Sequence, residues 1–129
     1  MNKLDPRNIY DDLHQIPELG FEEFQAVEAI SSVLEHHGFQ VQKGYGGLQT
    51  AFRADKAGKG KGPNVAFLAE YDALRGIGHG CGHNLISLMS LGAGLAFNAV
   101  TDKIAQTVIF GCPAEETIGA KLNIADSGY

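Results

Sequence analysis

The chain has 129 residues, 44% of them hydrophobic, which is enough for one modest domain with a buried core. Its formal net charge of −5 argues against a nucleic-acid-binding protein, which needs a basic face. No apolar run approaches the length that spans a bilayer, and the N-terminal sequence MNKLDPRN lacks the apolar core of a secretory signal. We therefore expect a cytoplasmic location, with no nucleic-acid and no membrane partner.

The first part of the sequence predicts two helices. Asp5-Pro6 is a typical helix start, and this helix should run to about Ile16, where Pro17 stops it. A second helix is expected from near Gly20 and should end at Gly38 as a C′ glycine. Its apolar stripe recurs at three- and four-residue spacing and consists of Phe24, Val27, Ile30 and Leu34.

Short strands and turns follow these helices. Residues 39–43 alternate between apolar and polar side chains, and a glycine-rich turn separates them from a partner strand at residues 49–54. A loop spans residues 56–63. The continuous apolar run within residues 64–71 predicts a strand that is buried on both faces.

The second half alternates helices and strands. A helix is predicted for residues 83–99, an apolar strand for residues 106–112 before Pro113, and a last helix for residues 116–127. Strands that alternate with helices indicate an α/β layered fold.

Two clusters of potential ligands each follow a predicted strand. Cys81 and His83 come after the strand that ends at Tyr71, and Glu115 and Glu116 come directly after the next strand. In open α/β sheets, ligands gather beyond the carboxyl ends of the strands. The order of the elements therefore allows the two clusters to converge.

Neither cluster is specific by itself. Cys81 and His83, separated by a glycine, can face one zinc ion from a tight loop, but a single Cys-x-His spacing is more often a chance occurrence. Glu115 and Glu116 could ligate a metal and accept a proton from water. A solvated helix N-terminus, where acidic residues are favoured, explains them at least as well.

Other candidate residues keep two or more interpretations. Asp72 could orient a ligand imidazole or cap a turn. His79 could contact substrate, ligate a metal or simply lie in the loop, and Arg75 is interpreted as a surface residue rather than a substrate contact. Cys112, at the end of an apolar run, is expected to be a buried, unreactive thiol. The histidines interpreted as structural or solvent-facing are His14, His36 and His37.

Three stretches of the chain resemble the M20 family of metallopeptidases and amidohydrolases. They are LHQIPELGF at residues 13–21, AEYDALRGIGHGCGHN at residues 69–84, and GCPAEE at residues 111–116. Within the family, the sequence resembles the branch with aminoacylases, aminobenzoyl-glutamate hydrolases and M20-domain-containing-2-like dipeptidases. Asn84 stands where many aminoacylase-like members have aspartate, which favours the latter two groups.

The resemblance implies a three-layer αβα zinc-exopeptidase-like fold. Residues 1–129 would be the N-terminal part of a single catalytic domain, without the lid or dimerisation domain and the C-terminal part. By position, Cys81, His83 and Glu116 would be metal ligands and Glu115 the general base. A complete site would hold two divalent ions, with Zn²⁺ expected and Mn²⁺ or Ni²⁺ as alternatives.

The implied function is hydrolysis of the amide bond of small N-acyl amino acids or dipeptides by metal-activated water. No histidine follows His83, so the chain offers only three of these ligands, and we expect little activity from it alone. A non-catalytic module that binds a metal or a partner is the alternative, and an exposed sheet edge offers a route to self-association. A Cys81 nucleophile paired with His79 or His83 is disfavoured because it leaves the double glutamate unexplained.

Overall fold

The computed structural model describes residues 5–128, which form a four-stranded sheet with helices on both faces. The elements are α1 (Ile9–Gln15), α2 (Phe24–His36), β1 (Gln40–Lys43), β2 (Phe52–Ala57), β3 (Asn64–Glu70), α3 (His83–Val100), β4 (Gln106–Cys112) and α4 (Lys121–Asp126), with short 3-10 turns at Pro6–Asn8 and Tyr45–Gly47. Within the described range, no helix combines the length and hydropathy needed to cross a bilayer.

The sheet is mixed and its strand order is β1-β2-β4-β3. β1 pairs with β2, and β2 with β4, in antiparallel fashion, whereas β3 and β4 are parallel neighbours. In the parallel register Glu70 lies opposite Cys112, so the carboxyl ends of β3 and β4 are side by side. This pairing brings the segments that follow the two strands to the same edge of the sheet.

Two separate cores hold the layers together. On one face, α1, α2 and α3 bury a large cluster that includes Ile30, Phe52, Leu91 and Ile109. On the other face, the 3-10 turn after β1 and α4 cover a smaller cluster around Phe110. Alternate residues of β4 point into the two cores, as expected for a strand covered on both faces. The predicted α/β layered fold is confirmed.

Two predicted helices begin later than expected. α2 starts at Phe24 rather than near Gly20, because the chain turns at Phe21, which adopts a positive φ of 66°. Phe24 is 54% exposed and therefore lies outside the buried stripe in which it was placed. The last helix begins at Lys121 rather than at residue 116, since residues 114–119 form a turn closed by the Gly119 amide and the Ala114 carbonyl.

The strand predictions differ in burial and in one boundary. The strand paired with β1 begins at Phe52, because the 3-10 turn and the residues after it occupy positions up to 51. The apolar sequence of β3 predicted a strand that is buried on both faces. This prediction is wrong, because β3 lies at the edge of the sheet. α3 covers one face of β3, but Leu68 on the other face remains 45% exposed.

Two glycines of α3 give a matched test of how closely this helix packs on the sheet. A Cβ at Gly94 would lie 2.7 Å from Ile109 Cδ1, whereas a Cβ at Gly92 meets nothing within 4 Å. We expect Gly92→Ala to stabilise the fold by about 1 kcal/mol through helix propensity. Gly94→Ala should destabilise it by about 1 kcal/mol, because overpacking outweighs the same gain. Urea unfolding monitored by circular dichroism measures both, and equal effects would contradict the close packing.

Candidate metal centre

The two clusters of potential ligands meet at the carboxyl ends of β3 and β4. The loop after β3 carries Cys81 and leads directly into α3, whose first residue is the buried His83. The turn after β4 carries Glu115 and Glu116. His83 Nε2 lies 3.4 Å from Glu116 Oε1, so two loops distant in sequence come into contact.

Asp72 joins these loops through a carboxylate that is almost fully buried. His83 Nδ1 donates to Asp72 Oδ1 at 2.8 Å and to the Asp72 carbonyl oxygen at 3.0 Å. The backbone N–H of Glu116 donates to Asp72 Oδ2 at 3.0 Å. Because Asp72 offers only acceptors to the ring, Nδ1 carries a proton, and Nε2 is the ring nitrogen that faces the other loop.

That Nε2 atom faces two carboxylates. Glu70 Oε2 lies 3.3 Å from it, and Glu116 Oε1 is at 3.4 Å. A lone pair opposite two anionic oxygens is unfavourable unless a proton or a cation lies between them. Two ligand atoms of one tetrahedral zinc ion, each about 2.1 Å from the metal, are about 3.4 Å apart. The spacing of His83 and Glu116 is therefore compatible with shared coordination of a cation.

Cys81 lies beside the same carboxylate. Its thiol is exposed, and the neighbouring Glu116 side chain raises the pKa of Cys81, with smaller effects from desolvation and Asp72. A raised pKa keeps the thiol protonated at neutral pH, which is the opposite of what a cysteine nucleophile needs. A bound divalent cation would instead favour the thiolate. The surroundings of Cys81 therefore argue against a cysteine nucleophile at this position.

Lys121, in the first turn of α4, contacts two acidic side chains of the site. Its Nζ lies 3.0 Å from Glu115 Oε1 and forms a shorter ion pair with Glu70 Oε1. Burial alone would lower the pKa of Lys121, but the hydrogen bonds to Glu70 and Glu115 outweigh it and raise the pKa. The other carboxylate oxygen of Glu115, Oε2, is buried without a hydrogen-bond partner among the residues described.

The structure ties His79 to α1. Its Nε2 lies 2.9 Å from the Leu13 carbonyl oxygen and donates to it, while Nδ1 is buried and unpartnered within residues 5–128. Burial lowers the pKa of His79, so the ring is neutral at pH 7. None of these observations tests a contact between His79 and substrate, so that contact stays a prediction. Arg75 is exposed, as expected for a surface residue.

Glu70 and Lys121 belong to this cluster, although the sequence did not single them out. Glu70 is the last residue of β3, and its position directly before the ligand-bearing loop is the signal that could have identified it. Lys121 had no such signal, because its approach to the acidic residues depends on where α4 packs.

The donor set fits a divalent cation in its chemistry but is not fully assembled. Cys81, His83 and Glu116 offer sulfur, nitrogen and oxygen, the ligand types that zinc prefers. Asp72 supplies the hydrogen bond that usually orients a ligand histidine. Within residues 5–128, however, no three His, Cys, Asp or Glu side chains already form a group that could hold a metal ion. Binding would require side chains to rotate toward a common point.

Comparison with known proteins shows which proteins this chain is similar to. No protein-family model matches the sequence. The chain is 39% identical over 126 residues to the Xaa-Arg dipeptidase of Mus musculus, covering 87% of this chain and 29% of that protein. It is 39% identical over 129 residues to one of the subunits of the p-aminobenzoyl-glutamate hydrolase of Escherichia coli K12, covering 84% of this chain and 26% of that one.

The fold agrees with this relationship. The crystal structure of the YXEP protein of Bacillus subtilis, described as a dinuclear metal-binding peptidase of the M20 family, superposes with a TM-score of 0.83 at 26% identity. The chain is a homologue of the M20 peptidases and amidohydrolases. The alignment covers 98% of this M20 homologue and 39% of the Bacillus chain. In sequence, the homologue spans about 30% or less of the length of each of the two curated relatives.

The two cysteines of the M20 homologue should differ sharply in reactivity. Cys81 is exposed, so a reagent reaches it although Glu116 raises its pKa, whereas burial shields Cys112 and raises its pKa to about 12. We expect an alkylating reagent to modify one thiol in the native chain at pH 8 and the second only after unfolding. Peptide mass spectrometry identifies the modified residue, and Cys81→Ser is the control that should remove the fast reaction. Fast alkylation of Cys112 in the folded Cys81→Ser chain would contradict its burial.

Proposed function

We propose that this M20 homologue supplies part of the active site of a metal-dependent hydrolase acting on the amide bond of small N-acyl amino acids or dipeptides. The observation that carries the proposal is the contact between the two predicted loops, where Asp72 holds His83 and Glu116 at the same time. The substrate class is supported by the names of two relatives, one a dipeptidase and the other part of a p-aminobenzoyl-glutamate hydrolase.

In this proposal, Cys81, His83 and Glu116 hold a divalent cation, with Zn²⁺ favoured by the mixture of sulfur, nitrogen and oxygen donors. Such a cation, when bound, polarises the amide carbonyl and lowers the pKa of water. Asp72 keeps the His83 ring oriented and its Nδ1 protonated, so that Nε2 is the atom that would bind the cation.

Glu115 is proposed as the general base. Its Oε1 is fixed by Lys121 at 3.0 Å, and its buried Oε2 has no hydrogen-bond partner among the described residues. An oxygen without a competing donor can accept the proton of the attacking water and then pass it to the leaving amine. Lys121 thereby holds one oxygen of Glu115 and leaves the other without a hydrogen bond among the described residues.

A second candidate function is a non-catalytic module that binds a metal or a partner with the same fold. The Lys121 ammonium group favours it, because its single positive charge already pairs with the carboxylates of both Glu70 and Glu115. Bound metal without amide hydrolysis would support this second function. Hydrolysis that stops with a chelator and returns with Zn²⁺ would support the first.

Glu115→Gln separates the proposed base from the proposed ligands. We expect this variant to lose any chelator-sensitive amide hydrolysis by at least about 100-fold, because the amide cannot accept the proton. The metal content, measured by elemental analysis, should stay within about twofold because Glu115 is not a ligand in the proposal.

The control for this experiment is Glu35→Gln, which changes an exposed glutamate on α2 away from the site. It should alter neither hydrolysis nor metal content. Lost metal in Glu115→Gln, with the remaining turnover unchanged, would contradict the role proposed for Glu115.

A further inference from the structure

Glu23 is a buried acidic residue that none of the roles above uses. Its exposed fraction is 0%, although it lies at the start of α2, where a glutamate can usually reach solvent. Glu23 Oε1 accepts a hydrogen bond of 2.8 Å from the backbone N–H of Ala114. Ala114 directly precedes the double glutamate, so an N-terminal helix is connected to the candidate site through one hydrogen bond.

The backbone of Ala114 is strained, so surrounding contacts have to hold it in this conformation. Its φ of 56° lies in the left-handed region, which costs a residue with a Cβ about 1–2 kcal/mol. Its carbonyl accepts hydrogen bonds from the amides of Thr117 and Gly119, so the reversal at Ala114 sets the course of the turn that follows. That turn carries Glu115 and Glu116.

The segment around Glu23 is itself firmly anchored. The Glu18 carboxylate accepts from the backbone amides of Gln25 at 3.0 Å and Ala26 at 2.9 Å, which ties the segment to the first turn of α2. The Glu18 carbonyl accepts from the Ala73 amide at 2.8 Å, next to Asp72. One short segment therefore contacts both loops of the candidate site.

Close packing leaves little freedom at this point. A Cβ on Gly20 would lie 2.9 Å from the Ala114 Cβ, so only glycine fits at that position without a shift. Ala114 itself is fully buried. If Glu23 did not accept its N–H, that donor would be buried without a partner, at a cost of about 1–3 kcal/mol.

We propose that Glu23 is a positioning residue that holds Ala114 in its left-handed conformation and so sets the position of Glu116 relative to His83. The proposal rests on the proposed function for what the positioned carboxylate does. Its structural part, the coupling between Glu23 and Ala114, stands on the hydrogen bond and the backbone geometry alone.

The test uses three variants of the whole chain. Glu23→Met removes the acceptor with a side chain of similar length, Glu23→Gln keeps an acceptor oxygen, and Glu23→Met combined with Ala114→Gly removes the cost of the left-handed backbone. The two measurements are hydrogen exchange of the Ala114 amide without metal and Zn²⁺ affinity by competition with a chromophoric chelator.

We expect Glu23→Met to lose the protection of the Ala114 amide and to bind Zn²⁺ about 10–100-fold more weakly. Glu23→Gln should keep both properties within about threefold, and Ala114→Gly should recover at least about threefold of the lost affinity in the Met background. If Glu23 only filled space, a change at Ala114 would not recover the Zn²⁺ affinity that Glu23→Met loses. If the Met variant does not fold, the double variant should.

The proposal is overturned if folded Glu23→Met keeps the Ala114 protection and the affinity, or if Ala114→Gly restores neither affinity nor folding. If the unmodified chain binds no Zn²⁺, the proposed function fails. Protection of the Ala114 amide in the metal-free variants then still decides whether Glu23 holds this backbone.

Discussion

His83→Ala is expected to lower the Zn²⁺ affinity of the chain by at least about 100-fold, since it removes a ligand atom and the group around which the site is arranged. The imidazole is buried between Asp72 on its Nδ1 side and the carboxylates of Glu70 and Glu116 on its Nε2 side. Without the ring, those acids lose their shared partner. Competition with a chromophoric chelator measures the affinity in the folded variant.

A matched control for this change is His14→Ala. His14 also lies on a helix, but it is exposed and stacks on Tyr10. Its removal should change the Zn²⁺ affinity by less than about twofold, because it contacts none of the proposed ligands. Equal losses in the two variants would mean that Zn²⁺ binds unspecifically to histidines, and the assignment of His83 would be wrong.

Asp72→Asn is expected to weaken Zn²⁺ binding about 10–100-fold and to lower the free energy of unfolding by about 1–3 kcal/mol. The carboxylate accepts from His83 Nδ1 with one oxygen and from the Glu116 amide with the other. An asparagine can replace only one of these oxygens, because its NH₂ group would face a second donor. Urea unfolding without metal and the chelator competition measure the two effects separately.

Asp55→Asn is the corresponding control. Asp55 pairs with Arg53 on β2, away from the proposed ligands and partly exposed to solvent. Losing this ion pair should cost about 1 kcal/mol or less and leave the Zn²⁺ affinity unchanged. If Asp72→Asn were no more damaging than Asp55→Asn, Asp72 would not be the link between the two loops.

Much of the architecture could be predicted from local patterns. The strand at residues 106–112 and the start of α3 at His83 coincide with the predictions, because apolar runs bounded by proline and glycine are local signals. The order of the elements also allowed the two ligand clusters to meet. Their meeting required only that the two strands be parallel neighbours, and β3 and β4 are.

Other features depend on contacts that no local pattern contains. The exposure of Leu68 follows from the strand order, which places β3 at the edge of the sheet. The approach of Lys121 to Glu70 depends on the packing of α4. The hydrogen bond between Glu23 and Ala114 joins residues that are 91 positions apart. Glu23 also lies just before the observed start of α2, in a segment where the sequence predicted helix.

The most direct test of the account is whether one cation is shared by the two loops. Equilibrium dialysis against Zn²⁺ followed by elemental analysis gives the stoichiometry of the unmodified chain, of Cys81→Ser and of Glu116→Gln. We predict one Zn²⁺ per chain in the unmodified protein and a marked loss in each single variant, although the two residues belong to different loops. Full Zn²⁺ retention in either variant, or none bound by the unmodified chain, would contradict the shared site.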